Sequence, residues 1–228
     1  MRAMILAAGR GERMRPLTDH CPKPLLAVGG KPLIVWHIER LAGAGFTQLV
    51  INHAHLGEQL EAALGTGERW GVRITYSPEP PGALETAGGI VQALPMLGCE
   101  PFLVVNGDIY CDWGPVGVAL EAGKQAHLVL VPNPLHNLEG DFALQDRQVG
   151  SGNTAIGERL TFAGIGIYHP ELFAGLSAGQ PAKLAPLLRQ AMARGQVSGE
   201  RYDGRWVDVG TPRRLTELDA QLVSERTL

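Results

Sequence analysis

Apolar runs of strand length alternate with helix-length segments through the first half of this chain. The pattern predicts strands at residues 3–8, 48–52, 72–77, 101–108 and 127–131, and helices at residues 32–43, 56–64, 86–94 and 116–122. Strands that alternate with helices favour a parallel sheet covered on both faces. We therefore expect an α/β protein with a single doubly wound, Rossmann-like domain and a mostly parallel central sheet.

The second half is less regular. Residues 140–161 are rich in glycine and polar residues, which indicates a hairpin or a mobile loop. Strands are expected at residues 159–169 and 205–210, and a helix at residues 183–194. Thr211 is a good N-cap for a last helix, since Pro212 suits the first helical position. No segment resembles a linker, so one domain over residues 1–228 is expected.

Composition limits the class of protein. With 45% hydrophobic and 19% charged residues the chain has an ordinary globular composition, and 20 basic against 23 acidic residues give a net charge of −3. Nucleic-acid binding normally needs a clustered positive field, so nucleic acid is not an expected partner. No apolar run approaches the roughly 20 residues of a membrane helix, and the N-terminus makes a poor signal peptide. The three cysteines have no disulfide or zinc spacing. We expect a cytoplasmic protein with no membrane partner.

A glycine-rich loop follows the first predicted strand. It has the sequence GRGER at residues 9–13, and a basic PKP site follows at residues 22–24. Glycines let backbone N–H groups approach a phosphate, and cations neutralise its charge. The dinucleotide pattern fails at Met14, where its third glycine belongs, and the Walker pattern fails at Pro32, where it needs a hydroxyl residue. A turn that simply requires glycine is the open alternative.

Asp108 also follows the end of a predicted strand. In doubly wound sheets, ligands bind beyond the carboxyl ends of the strands. We therefore expect Asp108 to lie near the glycine loop in space, although the two are far apart in the sequence.

Five segments, in the same order along the chain, resemble the signature of the sugar-1-phosphate nucleotidyltransferase family. They are LAAGRGERM with PKP (residues 6–24), ALETAGGI (83–90), FLVVNGDIYCD (102–112), TFAGIGIYHPELF (161–173) and GRWVDVGTPRRLTELDAQL (204–222). Two residues depart from the family pattern: Glu12 replaces a small hydroxyl residue, and Glu85 replaces a glycine. The family's E-K-P lysine, which holds the sugar phosphate, has no match here.

The resemblance implies transfer of a nucleotidyl group from a nucleoside triphosphate to a sugar 1-phosphate, with Mg²⁺ as cofactor and pyrophosphate as the second product. These two small molecules are the implied partners, and the oligomeric state stays open. The attacking phosphate dianion is a competent nucleophile at neutral pH, because its second pKa is about 6. The protein then has to position the groups and neutralise charge, without a catalytic Ser, Cys or His.

Within the family, the chain is most similar to the short bacterial uridylyltransferases of peptidoglycan recycling, which use UTP and N-acetylmuramic acid 1-phosphate. Mannose-1-phosphate guanylyltransferases and glucose-1-phosphate thymidylyltransferases are the alternatives. A catalytically silent nucleotide-sugar sensor and a metal-dependent glycosyltransferase are rivals of a different kind. The implied division of the domain is a nucleotide-binding part at about residues 1–110 and a small β-rich sugar-binding part at about 111–228, with no C-terminal β-helix domain.

The resemblance also implies site residues. Arg13, Lys23 and Asp108 are the implied catalytic residues, and Asp108 and Asp208 the implied magnesium ligands, since hard carboxylate oxygens suit that ion. The implied nucleotide site consists of Leu6, Ala8, Gly9, Gly11, Glu12, Arg13, Lys23, Pro80, Gly82, Thr86 and Gly88. The implied sugar site consists of Gly140, Asn153, Glu158 and Trp206. Either Arg159 or Arg147 substitutes for the missing lysine, or the sugar phosphate is bound by Asn153, Glu158 and the metal ion.

Overall fold

A computed structural model describes residues 1–80, 82, 84–152 and 155–226. In chain order its strands are β1 (Ala3–Leu6), β2 (Ala27–Val28), β3 (Lys31–Pro32), β4 (Gln48–His53), β5 (Arg73–Pro78), β6 (Phe102–Asn106), β7 (Ile109–Cys111), β8 (Ala126–Val131), β9 (Phe142–Gln145), β10 (Gln148–Gly150), β11 (Glu158–Tyr168), β12 (Val197–Arg201) and β13 (Trp206–Asp208). Its helices are α1 (Leu33–Gly43), α2 (Gly57–Leu64), α3 (Glu85–Leu97), α4 (Leu184–Ala193) and α5 (Pro212–Arg226). Within these ranges, no helix combines the length and apolar character that crossing a membrane requires.

Nine strands form the central sheet, in the order β5-β4-β1-β6-β11-β8-β12-β10-β9. The first four are parallel neighbours, with Ala3 of β1 opposite Leu49 of β4 and Leu103 of β6. Strand β12 is parallel to β8, whereas β11 runs antiparallel to β6, β8 and β9. Strand β10 is antiparallel to both β9 and β12.

The α/β class is therefore correct, but the expected mostly parallel sheet is found only in its first half, and the whole sheet is mixed. The cause lies in the connections of the second half. Strands β9 and β10 are joined by a tight turn at Asp146, which has a φ of +54°, and a short turn can only connect antiparallel strands. The long strand β11 then returns antiparallel between β6 and β8.

Both faces of the sheet are covered by helices. Helices α1 and α2 pack on one face, where Ile5 of β1 contacts an apolar cluster that includes Ile38 and Leu60. Helices α3 and α4 pack on the other face, where Met4 joins a cluster with Ile90 and Leu188. Adjacent residues of β1 thus point to opposite layers, as the period of a strand requires. Both layers are apolar, which explains the continuous hydrophobic runs of β1 and β6.

Two predicted helices differ from those observed. Helix α3 continues through Pro95 to Leu97, whose side chain is buried against the second layer. Burial of Leu97 accompanies the continuation past a residue that normally ends or kinks a helix. Residues 116–122 form a turn and irregular backbone instead of a helix, and Gly117 within them adopts a φ of +70°, outside the right-handed helical region. Helix α5 begins as expected, with the Arg214 amide donating to Thr211 Oγ1 over 3.4 Å.

Candidate active site

A cavity of about 430 Å³ opens at the carboxyl ends of β1, β4 and β6. The loop after β1, the PKP turn and the start of α3 contribute to its walls. These residues of the predicted sites line it: Leu6, Ala8, Gly9, Gly11, Glu12, Arg13, Lys23, Gly82, Thr86 and Asp108. The fold thus brings most of the predicted nucleotide site to one place.

The glycine loop has a fixed shape. Gly11 adopts a φ of +70°, and its carbonyl accepts a hydrogen bond from Thr18 Oγ1 over 2.9 Å. A Cβ on Gly11 would approach Thr18 Cγ2 to 3.0 Å, whereas a Cβ on Gly9 would meet nothing within 4 Å. Gly11 is therefore required by the backbone, while the space beside Gly9 is open to a ligand. Arg10 is tied to the Thr18 carbonyl over 2.7 Å.

Lys23 and Asp108 form the charged centre of the cavity. Lys23 Nζ donates a hydrogen bond to Asp108 Oδ2 over 2.8 Å, and the lysine is buried between two prolines. The Asp108 side chain is 42% exposed, so one side of the pair faces solvent. A buried ammonium held by a carboxylate is a preorganised cation, which needs little rearrangement to meet a phosphate.

Asp208 reaches this region through backbone pairing. Strand β13 pairs with β7, which places Asp208 opposite Ile109, and the Val209 amide donates to the Asp108 carbonyl over 3.0 Å. Asp208 Oδ2 accepts a hydrogen bond from Arg214 Nη1 over 2.5 Å and lies 3.4 Å from His136 Nε2. Asp208 itself does not line the cavity, but Gly210, two residues later, does.

Arg13 also approaches this segment. A Cβ on Gly210 would lie 3.0 Å from Asp208 Oδ2 and 3.2 Å from Arg13 Nη2. Gly210 therefore gives these two side chains room on the same side of the backbone. Arg13 and the Lys23–Asp108 pair line the cavity, and Asp208 lies behind its wall at Gly210.

The donor set of Asp108 and Asp208 fits a hard divalent cation. In each carboxylate Oδ2 is engaged, by Lys23 or Arg214, while Oδ1 has no hydrogen bond to any described residue. Mg²⁺ is usually held by one or two carboxylates together with water and substrate phosphates. The described residues contain no group of three or more His, Cys, Asp or Glu side chains placed for metal binding. Phosphate oxygens and water would therefore have to complete the coordination.

A buried polar network, which sequence reasoning missed, supports the other end of the cavity. Asn52 Oδ1 accepts from the Ala7 amide over 2.8 Å, and Asn52 Nδ2 donates to Glu79 Oε1 over 2.6 Å. Glu79 Oε2 in turn accepts from the Leu84 amide over 2.9 Å. The network ties the end of β1 to the segment before α3. Its only sequence signal is the position of Asn52 near the carboxyl end of β4.

Besides Asp208, further predicted residues lie outside this cavity. Gly88 packs against residues 180–182, since a Cβ there would lie 2.5 Å from the Gln180 carbonyl, and Pro80 does not line the cavity. Glu158 pairs with Arg201 at the surface, and Trp206 Nε1 donates to the Ala163 carbonyl over 2.8 Å. Asn153 falls outside the described residues.

A second cavity, of about 470 Å³, shares Glu85, Thr86 and Asn106 with the first. Gly140 and Arg159 line it, whereas Arg147 is bound to Glu121 over 2.7 Å elsewhere. The cavity is also lined by residues that sequence reasoning did not select, namely Asn106, Asp141, Phe142, Phe162, Lys183, Leu184, Ala185, Leu188 and Arg189. They come from four separate segments, so no local pattern marks them.

Comparisons with known proteins agree with this architecture. A family model described as nucleotidyl transferase matches residues 2–132. An N-acetylmuramate alpha-1-phosphate uridylyltransferase of Neisseria meningitidis serogroup B is 58% identical over 225 residues, which cover 96% of this chain and 97% of the relative. A Caulobacter vibrioides protein of the same name is 35% identical, covering 96% of both chains.

A solved structure shows the same fold. The putative glucose-1-phosphate thymidylyltransferase of Bacillus anthracis superposes with a TM-score of 0.81 at 22% identity, covering 98% of this chain and 95% of that one. The likeness therefore extends over the parallel and the mixed halves of the sheet alike. The family model matches more than half of the residues, and the two relatives are similar to this chain over nearly their full length. This chain therefore belongs to the nucleotidyl transferase family.

Proposed function

We propose that this protein transfers a uridylyl group from UTP to N-acetylmuramic acid 1-phosphate, giving UDP-N-acetylmuramic acid and pyrophosphate. The observation that carries the proposal is the cavity in which the glycine loop, Arg13 and the Lys23–Asp108 pair lie together. The choice of UTP and of the sugar is supported by the relative with 58% identity, which has this activity in its name.

In this proposal the triphosphate lies along the glycine loop. Backbone N–H groups near Gly9 and Gly11 and the guanidinium of Arg13 hold the β- and γ-phosphates, which leave as pyrophosphate. Lys23 lies beside the α-phosphate and stabilises the charge that spreads over its oxygens. The sugar phosphate attacks the α-phosphorus from the opposite side, so that the reaction is an in-line displacement.

The metal belongs to the same proposal. Asp108 and Asp208 would hold Mg²⁺, whose charge would neutralise phosphate oxygens during the transfer. Lys23 keeps Asp108 in position through its hydrogen bond to Oδ2, and Arg214 does the same for Asp208. Each carboxylate thereby presents its other oxygen in a fixed orientation.

The nucleoside has room at the other end of the cavity. Leu6, Ala8, Gly82 and Thr86 line that region, and the Asn52–Glu79 network holds its backbone. The sugar is directed towards the second cavity through the shared wall at Glu85, Thr86 and Asn106. We place this activity in the cytoplasm, in peptidoglycan recycling, with small molecules as the substrates.

The test is pyrophosphate release from a grid of UTP, GTP, dTTP, CTP and ATP against several sugar 1-phosphates, with and without Mg²⁺. The expected result is a Mg²⁺-dependent signal that is largest for UTP with N-acetylmuramic acid 1-phosphate. Strong release with GTP and mannose 1-phosphate would overturn the substrate assignment but keep the reaction. No release with any pair would overturn the proposed function.

A further inference from the structure

The second cavity contains cations that the proposed transfer does not use. Arg159, Lys183 and Arg189 line it, in a protein whose net charge is −3. The Arg159 guanidinium is engaged, because Nε donates to the Glu139 carbonyl over 2.8 Å and Nη2 to the Gly140 carbonyl over 3.1 Å. Lys183 and Arg189 make no side-chain hydrogen bond or ion pair with any residue that the structure describes.

The acidic groups of the cavity form no ion pair with these two cations in the part of the chain that the structure describes. Both oxygens of Asp141 are engaged, Oδ2 by the Phe162 amide over 2.8 Å and Oδ1 by Asn137 Nδ2 over 3.3 Å. Glu85 lies at the other end, on the wall that the two cavities share. The lining carries three cations, Arg159 included, against the two carboxylates, so an excess of positive charge favours an anion.

The position of α4 sets the geometry of this region. Lys183 directly precedes the helix and Arg189 lies six residues later, which corresponds to about 9 Å along the helix axis. Leu184 and Leu188 lie between them and are buried. Both cations are exposed, whereas the two leucines belong to the apolar core beneath α4.

The chemistry of the proposed reaction determines which anion fits. The sugar's phosphate has to reach the α-phosphorus, beside Lys23 and Asp108 in the first cavity. The rest of the sugar then extends past Asn106 into the second cavity. An anionic group that meets Lys183 and Arg189 is therefore a second one, carried by the sugar ring itself.

We propose that Lys183 and Arg189 recognise a carboxylate on the sugar and so select a sugar 1-phosphate that carries a carboxylate over its counterpart without one. This inference rests on the proposed function, whose substrate carries a carboxylate. Lys183 supplies a point charge, and Arg189 supplies a planar fork that matches a carboxylate. The selection acts on sugar binding and leaves the UTP site unchanged.

The test compares Lys183→Met and Arg189→Met with the wild type, using N-acetylmuramic acid 1-phosphate and N-acetylglucosamine 1-phosphate, whose sugar is neutral because it has no carboxylate. Arg73→Met is the control, since it removes an exposed cation on β5, at the opposite edge of the sheet. For the acidic sugar, each cavity variant should raise KM about tenfold or more, the effect of losing a charged hydrogen bond. The KM for UTP, kcat, and the KM or inhibition constant of the neutral sugar should change less than about twofold. Lys183→Arg keeps the positive charge, so its KM for the acidic sugar should stay close to that of the wild type.

An equal loss for both sugars would overturn the inference, because the cations would then act on the shared phosphate or on the fold. An unchanged KM for the acidic sugar would overturn it as well. If the wild type releases no pyrophosphate at all, the proposed function fails, and calorimetric binding of the two sugar phosphates decides the inference separately. Tighter binding of the acidic sugar that both variants abolish would support it, and equal or absent binding would refute it.

Discussion

Lys23 and Asp108 form an ion pair, with 2.8 Å between Lys23 Nζ and Asp108 Oδ2, at the point where the glycine loop meets the end of β6. The two residues are 85 positions apart in the sequence. Their contact joins the cation proposed to stabilise the transferred phosphate to the carboxylate proposed to hold the metal. Each residue therefore orients the other.

Asp108→Asn tests this arrangement. The amide still accepts a hydrogen bond from Lys23 but no longer carries the charge for a divalent cation. We expect kcat to fall about 10²–10³-fold, as when one preorganised charge contact is lost. The measurement is pyrophosphate release at saturating substrates and Mg²⁺, with the melting temperature recorded in parallel.

Asp112→Asn is the matched control for that experiment. Asp112 accepts a hydrogen bond from the Tyr202 hydroxyl and does not line either cavity. We expect Asp112→Asn to keep turnover close to that of the wild type. If Asp108→Asn also keeps it, the metal site lies elsewhere.

A side chain at Gly89 would disturb the Asn52–Glu79 network. A Cβ at Gly89 would lie 2.4 Å from Glu79 Oε1 and 2.9 Å from Asn52 Nδ2. We expect Gly89→Ala to lower the free energy of unfolding by about 1–3 kcal/mol, a usual cost of overpacking. It should also raise the KM for UTP, because the network supports the nucleotide end of the cavity.

Gly43→Ala provides the comparison, since a Cβ there meets nothing within 4 Å. Gly43 ends α1, so alanine should raise the free energy of unfolding by up to about 1 kcal/mol. Urea titration measures both variants. If the two substitutions change the free energy of unfolding equally, the contact between position 89 and Glu79 does not affect stability.

His37 makes stability depend on pH. Its imidazole is buried under β7, donates from Nε2 to the Ile109 carbonyl over 2.8 Å, and burial lowers its pKa from 6.5 to about 4. The unfolded chain takes up a proton near pH 6.5, whereas the native protein does so only near pH 4. The native state therefore loses stability as the pH falls through this window, by about 1.4 kcal/mol per pH unit and about 3 kcal/mol in total.

Urea unfolding of the wild type and of His37→Gln at pH 7, 6 and 5 measures this effect. The glutamine can donate a hydrogen bond but does not titrate, so its profile should be flatter by the contribution of His37. Parallel profiles for the two proteins would show that His37 does not carry the pH dependence.

Glu85 adopts a φ of +59°, which residues other than glycine rarely adopt. The family pattern has glycine at this position. We expect Glu85→Gly to raise the free energy of unfolding by up to about 1 kcal/mol, by removing this strain. Glu85→Gln should not change it, since the backbone conformation is kept. Thermal unfolding distinguishes the two, and a destabilised glycine variant would refute the assignment of strain.

The parts of the fold that local pattern determines were predictable. Strands β1, β4 and β6 are apolar over their length because both faces are covered, and the rule for strand ends correctly indicated that Asp108 would lie near the glycine loop. Strand β11 was predicted as a strand, but its direction was not, because an antiparallel return depends on how distant strands pair.

The candidate site shows the same limit. Residues carried by a contiguous motif, such as Arg13 and Lys23, were selected from sequence. Asn52 and Glu79 were not, because their importance comes from a hydrogen bond between two different strand ends. Lys183 and Arg189 belong to no sequence motif and were not predicted. They line one cavity only because α4 packs beside it.

Strand β11 has a consequence for how the protein forms during synthesis. It pairs with the open edge of β6, where Ile165 lies opposite Val105, and its other edge pairs with β8. Until the ribosome has released Tyr168, the parallel half of the sheet is a partly assembled layer with an exposed, apolar strand. Such an edge is a template for pairing with other chains. The edge of β6 is therefore closed only by a segment that is synthesised more than 50 residues after it.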